Sequence, residues 1–175
     1  LGELAANRTD LAVMVRPPAG LDTQNDAFAP HPYVIVGAPD HPLAGRGPVP
    51  MAELIRQAFV IREPGSDTWF SMQDAFGKHM AELNVAMEIK STETIKQAVI
   101  AGIGLGFLSF HTIGRELAAG SLVLLEVEGF PLMLNWYVVH RREKRLPPVA
   151  RAFRQFLLDE GADRIAMLIP PPALL

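Results

Sequence analysis

At 175 residues, 49% hydrophobic and 20% charged, the sequence has an ordinary globular composition and the length for one compact domain or two small lobes. A formal net charge of −3 argues against this piece gripping nucleic acid by itself, because phosphate binding needs an excess of Lys and Arg. The absence of cysteine excludes disulfides, thiolate zinc sites and cysteine nucleophiles.

The start, Leu1-Gly-Glu-Leu4, has neither the basic stretch of a signal peptide nor an initiating Met, so the chain is expected to be a fragment of a longer protein. Leu1 to Asn7 reads as the tail of a helix. Leu11 to Val15 is a continuous apolar run, the pattern of a strand buried on both faces, and Arg16-Pro-Pro-Ala-Gly20 ends it. Tyr33 to Gly37 is a second strand, and the two prolines of Ala38-Pro-Asp-His-Pro-Leu43 make a loop. A short helix follows from Pro50 to Gln57, then a strand at Phe59 to Ile61, a turn at Arg62 to Asp67 and a helix from about Thr68 to Leu83. Ala86 to Ile89 is a strand. The helix opened by Ser91 and closed by Gly102 carries Ile95, Ala98 and Val99 on one face. Gly104 to Ser109 is a buried strand; the wider apolar run 98–110 is broken by Gly102, Gly104, Gly106 and Ser109 and falls short of the about 18 residues of a membrane span. Ile113 to Ala119 is a short helix stopped by Gly120. Strands at Leu122 to Val127 and Trp136 to His140 precede a last helix, Pro148 to Glu160, with Phe153, Phe156 and Leu157 on one stripe. The tail 166–175 is apolar and proline-rich and carries no pattern that places it. Strands alternating with helices imply an α/β fold with an open, mostly parallel sheet, whose ligands bind beyond the carboxyl ends of its strands.

Two motifs suit that position. In Arg62-Glu-Pro-Gly-Ser-Asp-Thr68 a strand ends, a glycine turn follows, and Ser66, Asp67 and Thr68 stand at a helix start. Ser91-Thr-Glu-Thr-Ile-Lys96 repeats the layout, with Ser91 or Thr92 as cap and Glu93 in the first turn. Plain helix capping explains both; the same exposed N–H groups and helix dipole also favour an anionic ligand. Ala101-Gly-Ile-Gly-Leu-Gly106 superficially matches a dinucleotide fingerprint, but it leaves a helix and enters a strand, the reverse of what such a site needs. A tight helix-to-strand turn is the reading adopted. The five histidines lack metal-pair spacing, and no Gly-x-Ser-x-Gly elbow occurs, so no metal site, catalytic residue or resident cofactor is expected. The basic stretch His140 to Arg145 fits a solvated strand exit better than a nucleic-acid contact.

Taken in order, these segments resemble the LysR-type transcription regulators, in particular those of Calvin-cycle (RuBisCO) operons. The resemblance rests on Asp10 to Met14 with Arg16-Pro-Pro18, Val36 to Ala44, Arg62 to Thr68, Ile95 to Val99 with Ala101 to Gly104, Val127 to Pro131, and Trp136 to Arg142 followed by Lys144 to Leu146. It implies a two-lobed, periplasmic-binding-protein-like (type 2) effector-binding domain, truncated at its N-terminus. Lobe one would hold residues 1–50 and 128–175 and lobe two 51–127, with hinge residues Pro39, Glu128 and Phe130. The DNA-binding helix-turn-helix would lie outside this chain. A small effector would sit between the lobes, faced by Ser66, Asp67, Thr68, Ser91, Thr92 and Glu93; a phosphorylated metabolite, a carboxylate or NADPH is expected. The full protein would be a cytoplasmic homodimer or homotetramer and would touch DNA only through its missing domain. A missing first strand would lie between the Leu11–Val15 and Tyr33–Gly37 strands. A transport-type solute-binding protein of the same fold is the alternative, and an enzyme on the same sheet a third reading.

Overall fold

The computed structural model describes residues 2–168; the expectation for the tail falls outside them from residue 169 onward. The elements in order are α1 (Gly2–Ala5), β1 (Ala12–Met14), β2 (Thr23–Gly37), α2 (Met51–Leu54), β3 (Ala58–Arg62), α3 (Asp67–Phe76), β4 (Asn84–Ile89), α4 (Thr92–Ile100), β5 (Leu105–Ser109), α5 (Gly114–Ala118), β6 (Val123–Leu125), β7 (Leu132–Arg141) and α6 (Pro148–Leu168). A 3₁₀ segment, Gly77–Glu82, follows α3, which ends where Gly77 takes φ +52°, six residues before the expected stop at Leu83. The chain divides into two compact units, residues 1–31 with 134–175, and residues 32–133.

In the first unit β7 stands between β1 and the first part of β2. β1 runs antiparallel to β7, with Val13 opposite Val138. Two expectations need correction here. β1 is an edge strand with Val13 46% exposed, so its apolar run does not mean burial on both faces. In this chain β7 is the strand beside β1, where a further strand was expected. The strand β2 is also far longer than the five residues read from the sequence. Its first half alternates between covered and open positions, whereas from His31 onward every residue is buried. Only the second half carries the continuous apolar signal; Pro30 and Pro32 masked the first.

The last helix packs through only part of the expected stripe, since Leu157 is half-buried whereas Phe153 and Phe156 are not. Phe153 and Phe156 stack on each other and remain exposed. The inward face is Ala150, Arg154 and Gly161, spaced for one side of a helix. Gly161 lies so close to β2 that an added Cβ would come 2.7 Å from Cδ2 of Phe28. Arg154 pairs with Asp26 at 2.7 Å across the same contact. Small residues draw this helix in, and the bulky pair falls outside the contact. At the strand exit, His140 is buried rather than solvated, while Arg142 pairs with Asp22 and Lys144 with Asp10.

The second unit is mixed, not mostly parallel. β3 is parallel to β4 and to β5, because helices α3 and α4 carry the chain back between them. The second half of β2 enters antiparallel to both β5 and β6. The core centres on Phe59, Phe76, Phe107 and Tyr33; Tyr33 stacks on Phe107 at 4.8 Å and Phe59 meets Phe76 edge-on at 5.6 Å. Glycine sets the α4–β5 turn, as the sequence suggested. Gly102 closes α4 at φ +75°, a left-handed conformation that costs other residues energy. Gly104 needs no unusual dihedral but lies against β3, where a Cβ would stand 2.6 Å from the carbonyl oxygen of Ala58.

Candidate functional site

Parallel pairing of β3 and β4 sets Arg62 beside Ile89, so both strands deliver their carboxyl ends to one edge of the second unit. Each then turns into a helix. After β3, Gly65 at φ +89° turns the chain, and Ser66 in extended geometry caps α3: its Oγ accepts from the N–H of Trp69 at 3.2 Å and its hydroxyl donates to the carbonyl of Glu63 at 2.9 Å. After β4, Ser91 caps α4 by accepting from the N–H of Thr94 at 3.3 Å. The first four N–H groups of a helix have no partner within it, and each serine takes up one of them. The end of β3 is tied to the start of α4, since Nη1 of Arg62 donates to Oγ1 of Thr92 at 3.4 Å.

Of the expected residues, Ser66 and Ser91 are the caps. Asp67 and Glu93 are exposed in the first turns, and Thr68 and Thr92 are half-buried. Glu93 is drawn toward Lys96, 2.8 Å away. Pro39 is exposed just past β2; the N–H of Glu128 donates to the carbonyl of Val49 at 3.0 Å, and the ring of Phe130 packs on Phe76 and Phe107. All three lie in the second unit.

Two charged clusters escaped the sequence reading. Arg62 holds Glu63 through two bonds, Nε to Oε2 at 2.7 Å and Nη2 to Oε1 at 3.1 Å. The bond to Glu63 raises the pKa of Arg62 and, in return, holds the Glu63 carboxyl below the usual carboxylate range. The sequence signal was a charged pair directly at a strand end. The second cluster is Lys96, on the buried face of α4, with Glu116 at 2.8 Å and the carbonyl of Thr112 at 3.0 Å. Burial works against the charge on Lys96, but the bonds to Glu116 and Glu93 outweigh it and raise its pKa; burial pushes Glu116 up, and Lys96 pulls it lower still. A lysine inside the apolar stripe of Ile95, Ala98 and Val99 was the available sign. Among the described residues, no group of three or more His, Cys, Asp or Glu could hold a metal ion, and no helix is long and apolar enough to cross a membrane.

Two serine-capped helices leaving the carboxyl ends of adjacent parallel strands place the second unit in the α/β class, whose ligands bind beyond such strand ends. Residues 1–162 match the family described as LysR substrate binding domain, and the chain belongs to that family. It is 43% identical over 159 residues to a RuBisCO operon transcriptional regulator of Allochromatium vinosum, covering 91% of this chain and 53% of the relative. It is 44% identical over 155 residues to the HTH-type transcriptional regulator CbbR of Xanthobacter flavus, covering 87% and 46%. The chain thus spans about half the length of these curated relatives. Among solved structures it is similar to the regulatory domain of CcmR from Synechocystis in complex with 2-PG, with a TM-score of 0.84 and 34% identity, over 90% of this chain and 76% of that one. The fold is the type 2 periplasmic-binding-protein-like fold expected for the family.

Proposed function

We propose that this domain senses a small anionic metabolite at the starts of α3 and α4, and that the protein it belongs to uses the signal to control a carbon-fixation operon. The observation that carries the reading is the pair of capped helix starts at neighbouring strand ends, the second held to the end of β3 through Arg62 and Thr92. Ser66, Thr68, Ser91 and Thr92 offer hydroxyls, and the helix starts offer N–H groups and the positive end of the dipole, to a phosphate or carboxylate. Asp67 and Glu93 accept from hydroxyl groups elsewhere on the ligand. The similarity to RuBisCO operon regulators, and to a regulatory domain holding 2-PG (2-phosphoglycolate), supports a phosphorylated acid or sugar over NADPH. It also favours a regulator over a transport-type solute-binding protein or an enzyme. Binding acts by favouring one arrangement of the domain over another. Pro39, Glu128 and Phe130 serve as hinge residues in this reading. A DNA-binding segment outside this chain reads the operator, the whole works in the cytoplasm as a homodimer or homotetramer, and no resident cofactor takes part.

Isothermal titration of the chain against 2-phosphoglycolate, ribulose 1,5-bisphosphate, NADPH, muconate and sulfate tests this. Saturable binding of a phosphorylated compound, weakened at least about tenfold by Thr92→Val (one lost hydrogen bond to a charged group, ~1.4 kcal/mol or more), is the expected result. Tight binding that Thr68→Ala and Thr92→Val leave unchanged removes the site, and absence of binding to every compound removes the function.

A further inference from the structure

Arg62 ends β3 at the edge where α3 and α4 begin, and it is oriented from two sides. Glu63 meets its Nε and Nη2 with both carboxylate oxygens, at 2.7 and 3.1 Å, while Thr92 receives Nη1 at 3.4 Å. The side chain is 20% exposed and that of Glu63 is 26% exposed, so the guanidinium is largely covered yet reachable from solvent. Resting on the reading of this edge as the effector site, we infer that Arg62 is the residue that grips the effector's anionic group, and that Glu63 occupies its fork until the effector displaces it.

The chemistry supports an exchange of partners. A guanidinium fork takes carboxylate and phosphate with the same two-bond geometry, so the Glu63 carboxylate stands where a phosphate or carboxylate of the effector would bind. Glu63 follows Arg62 directly in sequence, beyond the last strand residue, and its carboxylate can swing into water without moving any element of the fold. Lys90, whose charge acts on Glu63, is exposed and gives it an alternative partner. Thr92 keeps Nη1 aimed across the two helix starts during the exchange. An incoming anion that takes the fork does so at the edge where α3 and α4 begin. The device also accounts for selectivity: a neutral sugar cannot displace a carboxylate from a guanidinium, whereas a phosphorylated acid can.

The test is titration of the chain and of Arg62→Lys and Glu63→Gln with 2-phosphoglycolate and with inorganic phosphate, with circular dichroism to confirm that each variant is folded. Arg62→Lys keeps the charge and loses the fork, and the affinity falls at least about tenfold. Glu63→Gln removes the competing carboxylate, and the affinity rises several-fold, a gain that misfolding cannot mimic. If the unmodified chain binds and both variants stay within about twofold of it, Arg62 is not the gripping residue, while the wider reading of the domain stands. Loss in Arg62→Lys without gain in Glu63→Gln overturns the displacement by Glu63. Failure of the unmodified chain to bind either probe overturns the inference together with the anionic effector class.

Discussion

Replacing Lys96 by methionine removes the charge from a side chain that is 6% exposed while preserving most of its length. The lysine Nζ holds Glu116 at 2.8 Å, Glu93 at 2.8 Å and the carbonyl of Thr112 at 3.0 Å. Glu93 is exposed, and its carboxylate returns to water at little cost. Glu116 is the costly partner. Its side chain is 15% exposed, and its Oε2 is buried with no hydrogen-bond partner among the described residues, so the substitution strands a carboxylate that water reaches poorly. Removing one side of a buried pair costs about 3–5 kcal/mol, and the partial exposure of Glu116 sets the expectation near about 3 kcal/mol. For a domain of this size that lowers the thermal midpoint by about 6–12 °C. Replacing both charges, Lys96→Met with Glu116→Leu, removes the stranded carboxylate and returns the stability to within about 1 kcal/mol of the unmodified chain. Urea unfolding at pH 7 of the two single variants and the double variant closes the cycle. A Lys96→Met loss below about 1 kcal/mol, or a double variant no more stable than the single, refutes the view that this pair locks α4 to α5.

Glycine supplies a paired comparison at the α4–β5 turn. Gly104→Ala drives a Cβ into the backbone of Ala58 and is expected to cost about 3 kcal/mol or more, whereas Gly102→Ala, with open space but φ +75°, costs about 1–2 kcal/mol; equal losses in urea unfolding would contradict the assignment. Ser66→Ala and Ser91→Ala each remove one cap, for about 1 kcal/mol, and glycine at the same positions restores most of it. Stability also follows pH with a definite sign. Burial holds the folded-state pKa of His111 and of His41 below 6.5, so the unfolded chain binds protons first; stability rises with pH up to about 6.5 and levels off above it. Asp26 and Glu116, held low by Arg154 and Lys96 in spite of burial, add stability present above the ordinary carboxylate range and lost as pH falls through their depressed values. A urea midpoint that is flat between pH 7.5 and 5 rules out the histidine contribution.

The sequence was most legible where one signal determined one element. Ser91 and Gly102 bracket α4 within a residue, because a capping hydroxyl and a left-handed glycine act locally. The run from Gly104 to Ser109 is buried throughout, as its composition indicated. Legibility failed where burial came from a distant segment. The first half of β2 reads as polar because only one of its faces is covered, by Gly161 and Arg154 more than a hundred residues away. The Phe153 and Phe156 stripe looked like a core face because periodicity cannot say which side of a helix has the smaller residues to pack with. The mixed sheet was missed for a related reason: alternating elements predict crossovers, but not that β2 enters antiparallel. At the candidate site the capping hydroxyls were readable, whereas Arg62 and Glu63 needed the parallel register that sets Arg62 beside Ile89 and within reach of Thr92.

The central claim, that an anion is received at the starts of α3 and α4, is tested most directly by following backbone amide resonances of the chain during titration with 2-phosphoglycolate. The account predicts saturable shifts concentrated at the amides of residues 66–69 and 91–94, with little change along α6. Saturable binding whose shifts lie elsewhere, or no binding at all, would contradict it.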